Sequence, residues 1–269
     1  MAKVDISIQM ADVLRNFQKL LIKHMGAYIV CGEIETVAER LKNKFKKERE
    51  ECWAFEEVSV LFHNLNLGTD ICTEIEASFL DKAVLKLKTQ MSGYRNILND
   101  AFDPITPIAK NCGFSLQIIV EIGDFDNIVA KCSWHFDRHQ EGNLPEFHHP
   151  LYHTHFGGKE INKGQLNYGN VLILESPRLL HPPMDIILAV DFVMGNYYSR
   201  HNCEPYKALL DEPLYHKLVE NSRKRFWQPF FLALASNFTP NKSGNLQHFS
   251  SLIVNPTHAQ NLLSCAQTQ

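Results

Sequence analysis

Six of the chain's thirteen histidines lie between His135 and His155. The stretch opens Trp134-His135-Phe136-Asp137-Arg138-His139 and closes His148-His149-Pro150-Leu151-Tyr152-His153-Thr154-His155. Histidine is the commonest metal ligand and the side chain whose charge changes near neutral pH. Alternate residues of a strand share a face. With both ends read as strands, His135, Asp137 and His139 line one face of the first, and His153 and His155 one face of the second. His148 and His149 fall in the joining loop and drop out. The candidate metal ligands are therefore His135, Asp137, His139, His153 and His155. Zinc is the ion such donors imply, since it takes nitrogen or carboxylate oxygen at about 2.0–2.2 Å. With one position left for water, the chemistry would be that of a metal-dependent hydrolase or phosphoesterase. His135, Asp137 and His153 are its candidate catalytic residues.

Two readings compete with a metal site. Histidines oriented by Asp137 could do acid–base work without an ion. No nucleophile is evident for it, and the His-x-Thr pattern of two-histidine phosphoesterases occurs once, not twice. Alternatively, His135 and His139 satisfy buried carbonyls in a polar network with Asp137 and Tyr152. His153-Thr154-His155 with Glu160 echoes half of a cupin metal motif, but Phe147 stands where a glycine is expected and no second half follows.

The surrounding composition is that of a globular chain. Its 269 residues are 45% hydrophobic and 21% charged, with a formal net charge of −3. That length can bury a core without staples. The charge argues against a generic nucleic-acid binder, which usually carries a basic surplus. Seven scattered cysteines form no Cys-x-x-Cys pair. They fit a reducing, cytoplasmic setting better than a disulfide framework. No signal peptide and no apolar run long enough for a membrane span are expected.

The elements that would position the histidines follow from the hydrophobic pattern. Val13, Phe17, Leu20, Leu21 and Met25 recur at helical spacing. Gly26 and Gly32 divide this helical stretch, which runs from 9 to 50. A helix is expected over Trp53–Asn64. Another should follow the capping box at Thr73-Glu74-Ile75-Glu76 and continue to about Asp100. The first hundred residues thus read as wholly helical. Residues 114–122 are β-branched and strand-like, 123–127 form a turn, and 128–136 make a hairpin partner. Leu151–Phe156 and Gly169–Glu175 complete a four-stranded antiparallel meander. Met184–Tyr197 is apolar almost all round, hence a buried helix. Asp211-Glu212-Pro213 opens the last helix, with Asp211 as its N-cap. Asp191, inside the apolar helix, needs a partner: Arg178, Arg138, a clustered histidine, or a polar strip with Asp185 and Tyr198.

This order of helix, meander, proline-rich turn and helices resembles the ubiquitin-conjugating enzyme fold over about residues 74–237. Pro150-Leu151-Tyr152 with Phe156-Gly157-Gly158 is similar to that family's approach to its third strand. Leu180-His181-Pro182-Pro183 is similar to its turn after the meander, and Asp211-Glu212-Pro213-Leu214 to the opening of its last helices. The family's catalytic cysteine has no counterpart, since Ser176–Asp185 contains none. The resemblance therefore implies a non-catalytic binding or adaptor protein with a protein partner, contacted through Tyr152, His181 and Pro182. The expected organisation is α+β: an N-terminal helical region (1–72), a core domain (73–237) whose C-terminal helices pack on the sheet, and a loosely ordered tail (238–269).

Overall fold

The computed structural model describes residues 6–47, 52–66, 83–94, 114–124, 127–138, 152–157, 161 and 178–236. The chain opens with α1 (Ile6–Met25), β1 (Ile29–Val30) and α2 (Glu33–Lys47). Six strands follow: β2 (Cys52–Phe62), β3 (Val84–Tyr94), β4 (Phe114–Asp124), β5 (Asn127–Arg138), β6 (Tyr152–Phe156) and β7 (Leu179–Leu180). Helices α3 (Ile186–Tyr197), α4 (Glu204–Leu210) and α5 (Pro213–Ser236) close the described chain. The strands form one antiparallel sheet in chain order, β1 to β7. The class is α+β, as the pattern predicts, but the meander has seven strands rather than four.

The helical reading is overturned over residues 53–62 and 84–94, which are strands β2 and β3. Ala83, just before β3, and Leu85 and Leu87 within it are buried while Val84, Lys86 and Lys88 are only partly so, which is the period-2 alternation of a half-buried strand. Leu87, Met91 and Tyr94 also fit a helical stripe, so the segment carries both periods. Pairing with β2 and β4 on either side selects the strand. In β2 the alternation of Val58, Val60 and Phe62 loses register with Phe55 because a bulge lies between Phe55 and Val58. The capping box at Thr73–Glu76, the expected strand at 169–175 and the C-terminal tail lie outside the described residues.

Other expectations hold. α1 and α2 are separated near Gly26, where a side-chain Cβ would come within 2.7 Å of the Ile22 carbonyl oxygen. The β4–β5 hairpin turns at Asp124–Asn127. Helix α3 is buried over Ile186–Val190, Val193 and Met194. Asp211 does not cap the last helix: it closes α4, and α5 begins at Pro213.

One continuous core joins the first and last described helices. Phe17 of α1 stacks on Tyr215 of α5 at 6.0 Å. Glu212, just before α5, accepts from Lys23 and His24 of α1. Phe136 of β5 meets Phe192 of α3 at 5.5 Å, and Tyr152 of β6 meets Phe230 of α5 at 6.2 Å. The sheet face holding Phe136 and Tyr152 is thus the helix-packed face. Side chains at the alternate positions occupy the other. Among the described residues, no helix is long and apolar enough to cross a membrane.

Candidate metal centre

Strands β5 and β6 pair antiparallel, with His135 opposite His155 and Asp137 opposite His153. Directly opposed residues point to the same face, their Cβ atoms about 4.5–5.5 Å apart. Alternation along each strand then gathers His135, Asp137, His153 and His155 on the sheet face turned away from the helices. The side chains between them, Phe136, Tyr152 and Thr154, take the helix-packed face. Core packing of Phe136 and Tyr152 therefore fixes the orientation of the histidines: a one-residue slip would bury histidine against the helices.

Asp137, His153 and His155 each bring one ligand atom to within 4.8 Å of the others. His153 is 3% exposed, and Asp137 and His155 are partly buried. An ion with ligands at about 2.1 Å holds tetrahedral donors about 3.4 Å apart. The three side chains therefore need to close by up to about 1.4 Å. Two imidazoles and a carboxylate are a donor set that suits zinc and other first-row divalent ions.

His135 belongs to the row but not to the group of three. Gln117 Nε2 of β4 lies 2.9 Å from its Nδ1, and Ser133 Oγ lies 3.4 Å from its Nε2. Its ring stacks on His155 at 4.9 Å with 6° between planes. His153 and His155 stack in turn at 5.8 Å and 17°. His135 thus sits as a buttress between a polar clamp and one of the three possible ligands. His139, His148 and His149 lie outside the described residues. Gln117 was not legible as a site residue. Its place opposite His135 depends on the β4–β5 register, which the hairpin turn alone leaves open by a residue when a bulge sits between Ile122 and Gly123.

Gly157, immediately after β6, has φ +96° and donates its N–H to the Ser133 carbonyl at 2.8 Å. Glycine reaches that backbone region without the steric cost other residues carry. It ends the strand two residues beyond His155 and ties it to β5.

The residues expected to meet a partner are placed differently from one another. Tyr152 is 1% exposed and packs on Phe230. His181 is partly buried, 4.7 Å from the Phe136 ring, and its Nδ1 lies 2.6 Å from the Pro182 carbonyl oxygen. Burial holds its pKa below the ordinary histidine value, against the opposing pull of that carbonyl. Pro182 is partly buried. The exposed apolar side chains nearby are Phe156, Leu179 and Leu180.

Asp191 pairs with none of the partners expected for it. Its two oxygens accept from the Tyr215 hydroxyl at 2.7 Å and from Arg223 Nη2 at 2.9 Å, both on α5. No family model matches the chain, and neither a curated protein nor a solved structure matches it.

Proposed function

We propose that this chain is a metal-dependent hydrolase whose single divalent ion, zinc by the donor chemistry, is held by Asp137, His153 and His155. One observation carries the reading: the pairing of Asp137 with His153, which brings three donor atoms from two strands within 4.8 Å. Three protein ligands leave the fourth position of a tetrahedral ion for water, the arrangement of catalytic rather than structural zinc. Zinc held there would supply Lewis acidity and lower the pKa of its bound water towards neutral. The chain's own residues do the positioning. Hydrogen bonding between β5 and β6 fixes the ligand spacing. Gln117 and Ser133 hold the His135 ring, which limits the rotation of His155.

Elemental analysis of protein purified without chelator tests this. The expected result is one zinc per chain, lost in His153→Ala and in Asp137→Asn, with phosphodiester or ester hydrolysis falling in parallel. Protein that neither retains zinc nor takes it up at micromolar concentration would remove the reading.

A second reading has its own support. Phe156 and Leu179 are 44% and 63% exposed at diagonal positions on one face of β6 and β7, and Leu180, 36% exposed, is on the other face opposite His153. The adjacent exposure of Phe156 and Leu179 suits a protein partner, as an adaptor with a ubiquitin-conjugating-like core requires. Burial pushes the Cys31 and Cys132 thiols up to about 11, which makes them poor nucleophiles. A cysteine-linked thioester conjugate formed on the purified chain would remove the adaptor reading. Loss of partner binding in Leu179→Glu, with zinc content unchanged, would favour it over the hydrolase.

A further inference from the structure

A cavity of about 460 Å³ opens between α3, α4 and α5; it is lined by His216 of α5 but by none of the β5 and β6 histidines. That volume lies within the usual range for small-molecule sites. Its polar groups come from all three helices and the turn after α3. Asp191 is matched by Tyr215 and Arg223, as described above. Glu220 is matched by Lys224 at 2.7 Å. Both carboxylates of the cleft therefore have their cations. Arg200, which also lines it, makes no hydrogen bond and no ion pair among the described residues. Tyr206 is 3% exposed, yet its hydroxyl, 3.8 Å from where a Cβ on Gly195 would sit, has no hydrogen-bond partner among them either. That hydroxyl is not sealed off from solvent: it faces the open space of the cleft, where an entering ligand can accept from it. Leu210 and Val219 supply apolar wall.

We propose that this cleft binds a small organic monocarboxylate. The carboxylate meets Arg200, whose planar guanidinium matches it in a two-point contact. It also accepts from the Tyr206 hydroxyl, and the apolar body of the ligand lies against Leu210 and Val219. One uncompensated cation calls for one negative charge. The Asp191–Arg223 pair fixes the opposite wall and stays intact, since Arg223 is also held over the Trp227 ring at 5.5 Å.

Calorimetric titration of the full chain with benzoate tests the proposal, with benzamide as the neutral isostere and inorganic phosphate as the competing anion. Benzoate should bind at least tenfold more tightly than benzamide, and phosphate should compete weakly. Arg200→Gln changes an exposed side chain and should weaken benzoate by roughly 10- to 100-fold, the scale of a charge-assisted contact. Arg200→Lys should recover part of the loss. Gly195→Leu should fill the cleft and abolish binding; its Cβ meets only an ordinary 3.8 Å contact, and the thermal midpoint of the variant reports whether its fold is kept. Equal binding of benzoate and benzamide, preference for phosphate, unchanged affinity in Arg200→Gln, or no binding of benzoate at millimolar concentration would each overturn it.

Discussion

Replacing Asp185 by alanine should destabilise the protein by about 3 kcal/mol, because one buried carboxylate does two separate jobs. Asp185 is 6% exposed. One oxygen caps α3 by accepting from the Leu188 N–H at 2.9 Å. The other accepts from the Ser222 hydroxyl of α5 at 2.5 Å. Removing an N-cap side chain costs about 0.5–2 kcal/mol. Ser222 is itself 4% exposed, and a buried hydroxyl left without its partner costs about 1–3 kcal/mol. Loss of the carboxylate's own burial penalty offsets part of the sum. Asp185→Asn keeps an oxygen for Leu188 and a group for Ser222, so it should cost less than about 1 kcal/mol. Urea denaturation at pH 7 reads both variants, with the slope unchanged and only the midpoint moving. The pair also has a pH signature. Burial raises the Asp185 pKa, against the pull of the Ser222 and Leu188 bonds and the Arg225 charge. A raised folded pKa means stability that is full below the ordinary carboxylate range and is lost as pH rises through the folded value. The asparagine variant should therefore gain on the wild type as pH rises from 3 to 7. Equal losses in the two variants, or a loss below about 1 kcal/mol in Asp185→Ala, would refute the two-job account.

Three further outcomes are expected. His181 is held neutral by burial, so the stability it contributes is present above pH 6.5 and is lost as pH falls below the ordinary histidine value. His181→Gln should flatten that acid slope, measured as urea midpoints at pH 7 and pH 5. Tyr215→Phe keeps the stacking on Phe17 but removes a 2.7 Å hydrogen bond to Asp191. It should cost about 1.5–3 kcal/mol in the same assay, the range for a bond to a charged group. His135→Ala leaves the three proposed ligands in place and removes the ring stacked on His155. It should weaken zinc binding by about 10- to 100-fold, as loss of a supporting neighbour does, while a chelator-competition assay still detects binding.

The proposed metal centre and the proposed anion cleft draw on different parts of the fold, and their predictions separate cleanly. The first depends on strand pairing between β5 and β6 and on packing behind them. The second depends on three helices meeting around Asp191. A variant such as Arg200→Gln should leave zinc content unchanged, and His153→Ala should leave benzoate affinity unchanged.

Much of the site was legible in the residues. Alternation alone places His135 with Asp137, and His153 with His155, because a strand's side chains have a period of two. The buried helix at α3 follows from its nearly uninterrupted apolar run, and the β4–β5 hairpin from its β-branched flanks and turn cluster. Elsewhere local pattern was ambiguous or misleading. Leu87, Met91 and Tyr94 satisfy a helical spacing as well as a strand, and the bulge in β2 hides its alternation. Pairing partners settle such a segment, and they lie dozens of residues away in the chain.

Three decisions belong to the tertiary structure alone. The register of β5 against β6 sets Asp137 opposite His153 and turns two separate rows of donors into one group. Placement of β4 beside β5 brings Gln117 to His135. The meeting of α3 with α5 gives Asp191 its partners, Tyr215 and Arg223, rather than Arg138 or Arg178. The amino-acid order determined which side chains share a face, because that follows from backbone geometry within one element. Which faces meet was decided by burial of the common core, because the free energy of excluding Phe136, Tyr152, Phe192 and Phe230 from water is gained only when distant elements come together.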